Sequence, residues 1–288
     1  MKTSIVGYPR IGSLRELKFA SEKYFRNEIT DTELKATAKS LRVQNLTIQK
    51  DSGLDYIPSN DFSFYDGILD TAFLLNAVPK RYTNLNLSPL DTYFSAGRGY
   101  QGDHGDVKAL AMKKWFNTNY HYIVPEVEDD TVIALSGKKL LEEYTEAKNL
   151  GIETKPVVIG AYTMLKLCRY TGTKSAEDFV DAIVQAYQDL LKKCEEAEIA
   201  WLQIDEPALV QDLEKEDIAL FRKIYDKVLP CAKGCRVLLQ TYFGDVRDIY
   251  ADLIQMPFAG IGLDFVEGKQ TGDLIAQHGF PKDKLLFA

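Results

Sequence analysis

The chain has 288 residues, of which 45% are apolar, and a formal net charge of −7. That balance suits a soluble globular protein with a sizeable core, and α/β barrels of roughly 200–250 residues are routinely one domain. The acidic charge argues against a nucleic-acid binder, whose footprint is a basic face, and leaves room for a local basic patch that would suit a small anionic ligand. No uncharged apolar run reaches the roughly 18 residues of a membrane span, and Met1–Arg10 lacks the apolar stretch of a signal peptide, so the expectation is a soluble, cytoplasmic protein.

Thr3–Gly7 reads as the first strand. Ser13-x-x-Glu16 then has the form of a capping box, which predicts a helix beginning at Ser13. Arg15 and Lys18 would share a face in its first turn, where cations oppose the helix dipole. A bound anion would reverse that conflict; a solvated face with a Lys18–Glu22 pair is the alternative. Asp31-Thr32 starts a helix running to about Gly53, and Tyr56–Ser59 follows as a strand. Ala77–Gly105, with Gly97, Gly99, Gly102 and Gly105, reads as a long loop of a functional or mobile kind. Lys113–Glu126 combines a basic helix end, an Asn-rich turn, an aromatic strand at Tyr122–Pro125 and a terminal carboxylate. Such a density of polar and aromatic groups at one junction is typical of ligand-binding loops. Lys114 falls in the last turn of that helix, where a lysine suits the dipole, while Trp115 and Phe116 suit either a core or a ligand platform.

Ser136 caps the next predicted helix, which carries Leu140, Leu141 and Tyr144 and closes at Gly151. Ser175-Ala-Glu-Asp178 opens another, with Phe179, Ile183, Ala186, Leu190 and Cys194 on one stripe. The remaining strands are Pro156–Gly160, Ala200–Asp205, Arg236–Thr241, Gly260–Phe265 and Lys284–Ala288. Continuous runs such as Val157-Val158-Ile159 and Val237-Leu238-Leu239 suit strands covered on both faces. Eight strands alternating with helices predict an α/β fold, a (β/α)8 TIM barrel over residues 1–288, truncated at the eighth strand. No phosphate-binding glycine motif follows any of the strands.

In such a barrel the strands' C-terminal ends face the site, and Glu126, Asp205, Glu206, Asp264 and Glu267 fall there. Pro207 keeps Glu206 out of helical geometry. Paired carboxylates of this kind serve either as the acid and base of a glycosidase or as structural partners of loops and arginines. Cys168, Cys194, Cys231 and Cys235 read as reduced thiols, because Cys231-x3-Cys235 has no further zinc ligands near it. His104, His121 and His278 lack metal-ligand spacing, and no Gly-x-Ser-x-Gly elbow is present.

Four segments together resemble the N-terminal half of cobalamin-independent methionine synthase. They are Val6–Gly12, Arg15–Lys18, Lys114–Tyr122 and Gln203–Leu209. The resemblance implies two barrels that arose by duplication, with the active site between them. The C-terminal barrel, absent here, would carry the zinc and the homocysteine site. The N-terminal barrel would be metal-free and hold the folate polyglutamate tail. By motif match, Arg15, Glu16, Leu17, Lys18 and Lys114 would contact that tail, and no catalytic residue would lie in this chain. The implied reaction moves a methyl group from 5-methyltetrahydropteroyltri-L-glutamate to L-homocysteine, and this half, a monomer, would bind without catalysing. Two other readings stand beside it: a barrel glycoside hydrolase using Glu126, Glu206 or Glu267, and a non-catalytic folate-binding module.

Overall fold

The computed structural model describes residues Met1–Ala288. Its strands are β1 (Ile57–Ser59), β2 (Tyr100–Gly102), β3 (Gly105–Val107), β4 (Met112–Lys114), β5 (His121–Ile123) and β6 (Glu126–Val127). There follow β7 (Thr154–Ile159), β8 (Arg169–Tyr170), β9 (Trp201–Asp205), β10 (Arg236–Gln240), β11 (Gly260–Gly262) and β12 (Leu285–Phe287). The helices are α1 (Glu16–Phe25), α2 (Asp31–Asp51), α3 (Gly67–Leu74), α4 (Lys80–Thr83), α5 (Pro89–Arg98) and α6 (Lys139–Asn149). They continue with α7 (Ala161–Leu167), α8 (Val180–Glu196), α9 (Lys215–Val228), α10 (Tyr250–Leu253) and α11 (Thr271–His278).

Six parallel strands form the central sheet in the order β1-β7-β9-β10-β11-β12. Ser4 adds a single parallel bridge to Tyr56 beside β1, so the first predicted strand is reduced to one contact. Every residue of β7 and β9 is buried, so apolar residues such as Val157-Val158-Ile159 follow one another without alternation, and the polar ones among them must find partners inside. Helix α8 lays Ile183, Tyr187, Leu190 and Cys194 against that layer, and Phe221, Ile224 and Val228 of α9 join the same core. The sheet curls: the rings of Tyr56 and Phe287, from its two opposite ends, lie 5.4 Å apart and both pack on Trp201. Ser4 and β12 are not hydrogen-bonded to each other.

The α/β class, the parallel sheet and the TIM-barrel-like curl agree with the sequence expectation; the membership of one strand does not. Tyr122–Pro125 stays outside the sheet, because β5 pairs antiparallel with β4, β6 pairs with β8, and β1 pairs directly with β7. Pro125 has no N–H to extend a ladder and so ends β5. Lys284–Ala288 is therefore the seventh position of the parallel run counted from Ser4 rather than the eighth.

Two local expectations also change. Ala77–Gly105 holds α4, α5 and β2, with Ser88 capping α5 through the Asp91 N–H. Ser136 caps nothing: its N–H donates to Leu74, and α6 begins at Lys139 without a side-chain cap. The cause is the adjacent Gly137, which lies so close to α3 that a Cβ would stand 2.9 Å from the Leu74 Cα. The Ser175 capping box forms as expected, and Gly151 adopts φ 69 just beyond the end of α6.

Candidate functional site

The basic segment after Ser4 is organised differently from a capped helix. The Ser13-x-x-Glu16 box does not form; the Glu16 carboxylate accepts from the Leu14 N–H at 3.0 Å instead. Gly12 at φ 84 turns the chain, and Arg15 enters α1 in left-handed geometry at φ 63. Arg15 and Lys18 are exposed, and Arg15 has no acidic partner. Lys18 lies 3.5 Å from Glu22, the solvated i,i+4 pair, in which both side chains are nearly half exposed. Such a pair contributes little and is easily exchanged for another anion. Leu17 is only 2% exposed and packs on Ala38, Leu41 and Phe62. Its side chain docks α1 on α2 and does not face solvent.

Lys114 does not sit on a helix. Met112–Lys114 and His121–Ile123 form an antiparallel hairpin, closed by Trp115 N–H to Tyr120 O at 2.8 Å and Thr118 N–H to Trp115 O at 2.9 Å. Phe116 takes φ 48 in the turn, which a continuing helix would not tolerate. Residues opposite one another in such a pair share a face, as do residues two apart. Lys114 is opposite His121 and Met112 is opposite Ile123, so these four side chains belong to one face. Met112, His121 and Ile123 line a cavity of about 290 Å³ together with Arg10, Phe64 and Tyr65. The Lys114 ammonium, exposed, bonds Asn119 at 3.2 Å. Trp115 is buried and packs against Tyr122 and Phe243, so it is core; Tyr120, mostly exposed, stacks on Phe243.

The carboxylates at the strand ends are already committed. Glu206 is fully buried and accepts from the N–H groups of Tyr162 (3.0 Å) and Thr163 (2.7 Å) and from the Tyr225 hydroxyl. It holds the first turn of α7, where those N–H groups have no helical partner. Burial pushes its carboxyl up to about 7 against the pull of these donors. Glu126 pairs with Arg81 at 2.6 Å and Arg169 at 3.7 Å. Asp264 accepts from the N–H groups of Phe243, Val266 and Glu267, and Glu267 itself is exposed on that loop. Glu126, Glu206 and Asp264 are thus each held by donors or cations of their own, which is the structural role that such carboxylates also serve.

Asp205 belongs to a chain of polar groups that sequence reasoning missed. The Lys155 ammonium donates to the Ile5 carbonyl at 2.8 Å and to the Gln203 amide oxygen. Gln203 donates in turn to the Val6 carbonyl (3.1 Å) and to Asp205 (2.8 Å), which also accepts from the Tyr242 hydroxyl at 3.2 Å. Burial raises Asp205 to about 7, opposed by Gln203 and Lys155, and lowers Lys155 to about 8, opposed by Asp205 and Asp61. These side chains hold Ile5 and Val6, which lack a ladder of their own. The signal was a lysine inside an otherwise apolar strand, Lys155 beside Pro156-Val157-Val158. At the strand ends a cavity of about 230 Å³ is lined by Asn60, Asp61, Asp66, Trp115, Asp205 and Tyr242. A larger groove, about 790 Å³, lies on the outer surface between α2 and α6, away from the strand ends.

No three His, Cys, Asp or Glu side chains converge to hold a metal ion, and all four cysteines are free thiols. The resemblance places its zinc in a C-terminal barrel, and the residues of this chain offer no ligand set for one.

Comparison with known proteins gives the lineage. A relative from Streptococcus thermophilus, 5-methyltetrahydropteroyltriglutamate–homocysteine methyltransferase, is 56% identical over 288 residues, covering 100% of this chain and 38% of that protein. A protein of the same name from Campylobacter jejuni is 54% identical with the same coverage. The chain thus spans well under half the length of these relatives. Among solved structures, a Listeria monocytogenes protein described as a vitamin-B12-independent methionine synthase superposes with TM-score 0.62 at 14% identity, over 99% of this chain and 77% of that one. A B12-independent methionine synthase from Shewanella gives TM-score 0.57 at 16% identity, over 86% of this chain and 70% of its own. At those identities the likeness speaks to fold. The family described as cobalamin-independent synthase, N-terminal domain, matches residues 2–288, and this chain belongs to it.

Proposed function

We propose that this chain is the folate-side half of a methyltransferase that moves the methyl group of 5-methyltetrahydropteroyltri-L-glutamate to L-homocysteine. The observation that carries the reading is 56% identity across the whole chain to a relative of that name. Its partner would be a C-terminal barrel of the same parent protein, in the cytoplasm, and this half alone would bind without turning over. The metal belongs to that partner, where zinc would hold homocysteine as a thiolate at neutral pH.

What this chain supplies is electrostatic. Arg15 without an acidic partner, Lys18 in a loose surface pair, and Lys114 on the hairpin face are cations available to an oligoanion. The γ-glutamyl tail presents a row of carboxylates to such groups. Binding energy gathered on the tail helps orient the methyl group held farther along the molecule. Glu16 assists indirectly by organising the turn before Arg15, and Leu17 by fixing α1 to α2.

Isothermal titration with triglutamyl and monoglutamyl 5-methyltetrahydrofolate tests this. Three exposed ion pairs together are worth about 1–2 kcal/mol, roughly a 5- to 30-fold preference for the triglutamate. The preference should shrink at high salt and in Arg15→Ala, Lys18→Ala and Lys114→Ala variants. Equal affinity for the two forms at low salt would reject the assignment of these residues.

A further inference from the structure

Two aromatic residues have left-handed backbones, Phe116 at φ 48 and Phe243 at φ 77, and their rings meet edge to face at 6.4 Å. That region suits glycine, and a bulky side chain enters it at a cost. Phe116 lies in the turn of the β4–β5 hairpin, and Phe243 lies in the loop that leaves β10. The neighbours of Phe243 over-determine its conformation. Its N–H donates to Asp264 at 2.9 Å, and the other oxygen of Asp264 accepts from Val266 and Glu267. The carboxylate thereby ties the loop after β10 to the loop after β11. These loops pack closely: a Cβ on Gly268 would stand 2.2 Å from the Asp264 carbonyl oxygen and 3.0 Å from that of Gly244. Tyr242 is anchored as well, its hydroxyl donating to Asp205.

The Phe243 ring meets the hairpin three times: it stacks on Tyr120 at 6.1 Å and packs against Trp115 at 6.0 Å and Phe116. Every hydrogen bond of residues 115–120 stays within the hairpin. The base is tied to the barrel by the Ile123 N–H, which donates to Asp66 at 3.0 Å, whereas the tip is held by side-chain packing. Strained residues persist where the surroundings fix them and function uses them.

We propose that Phe243 is a positioning residue for the hairpin: Asp264 holds its backbone in the left-handed region so that its ring fixes the hairpin tip against the loops at the strand ends. This deepens the functional reading above and rests on it for the ligand. Aromatic pairs prefer offset and edge-on arrangements, so three hairpin rings around one fixed ring set the orientation of the turn. Phe243 itself touches no ligand; it determines where the hairpin presents its polar face.

Amide hydrogen exchange and isothermal titration of the whole chain test this in Phe243→Gly, which relieves the backbone while removing the ring, and in Phe243→Tyr, which keeps the ring. The Trp115 amide, bonded to the Tyr120 carbonyl, should exchange about tenfold faster in Phe243→Gly, with the amides of β9 and β10 unchanged. Phe243→Tyr should exchange as wild type does. Triglutamyl 5-methyltetrahydrofolate should bind about two- to threefold more weakly to Phe243→Gly, one surface cation's share, with the monoglutamate unaffected. Wild-type exchange of the hairpin in Phe243→Gly would overturn the proposal. A loosened hairpin with the triglutamate preference intact would overturn the positioning role and leave the functional reading standing. If wild type itself shows no triglutamate preference, the functional reading falls, and the exchange data alone decide whether Phe243 fixes the hairpin. Should β9 and β10 also lose protection in Phe243→Gly, the comparison passes to Phe243→Leu, where a hairpin protected as in wild type would overturn the argument from the ring.

Discussion

Gly160→Ala is the sharpest test of the role assigned to Glu206. Gly160 sits at φ −75 and ψ 158, which any residue adopts, so the backbone bears no penalty. Alanine would even gain about 0.4–1 kcal/mol by restricting the unfolded chain. The obstacle is steric: a Cβ built there stands 2.1 Å from both the carboxyl carbon and Oε1 of Glu206. The carboxylate cannot yield freely, because two backbone N–H groups and the Tyr225 hydroxyl hold it. Overpacking costs about 1–3 kcal/mol, and each hydrogen bond to a charged acceptor that is lost costs about 1.5–3 kcal/mol. After the unfolded-state gain, the expected net loss is about 3–5 kcal/mol. For a chain of this size that lowers Tm by roughly 6–10 °C. The assay is urea denaturation of the four members of a double-mutant cycle with Glu206→Ala. Once the carboxylate is gone the new methyl meets nothing there, so the two substitutions should fall short of additivity by about 2 kcal/mol or more. Additive effects, or a Gly160→Ala protein within about 0.5 kcal/mol of wild type, would refute the reasoning.

Two further outcomes follow from the same interior. Burial lifts Asp205 and Glu206 to about 7, above the carboxyl values near 4 of an unfolded chain. The folded state then binds more protons across that window, so the contribution is fully present below pH about 4 and lost as pH rises towards 7. The urea midpoint should fall between about pH 5 and pH 7, with a shallower slope in Asp205→Asn, and a midpoint that rises across this range would contradict the burial argument. Leu17→Ala should cost about 2–4 kcal/mol in chemical denaturation by leaving a hole against Leu41 and Phe62. A loss near zero would mean that α1 is not docked through this side chain.

The alternation of continuous apolar runs with amphipathic stretches was enough to indicate an α/β barrel, because burial on both faces leaves its mark on consecutive residues. The Ser175 box and the Gly151 helix end were equally legible, since each depends on neighbours a few residues away. The importance of Lys113–Glu126 could be read from its composition, but not its geometry. Lys-Lys-Trp-Phe suits a helix end or a strand, and the choice of a hairpin depended on Tyr122 and Ile123 finding buried places. Only the tertiary structure decided that Tyr122–Pro125 stays out of the sheet, that Glu206 serves α7, and that Arg10 faces Tyr65. Their partners lie far off in sequence: 44 residues separate Glu206 from Tyr162, 55 separate Arg10 from Tyr65, and 197 separate Gln203 from Val6. Contacts of that span are set by how the whole chain packs, and a local pattern can report that a polar group needs a partner without saying which one it receives.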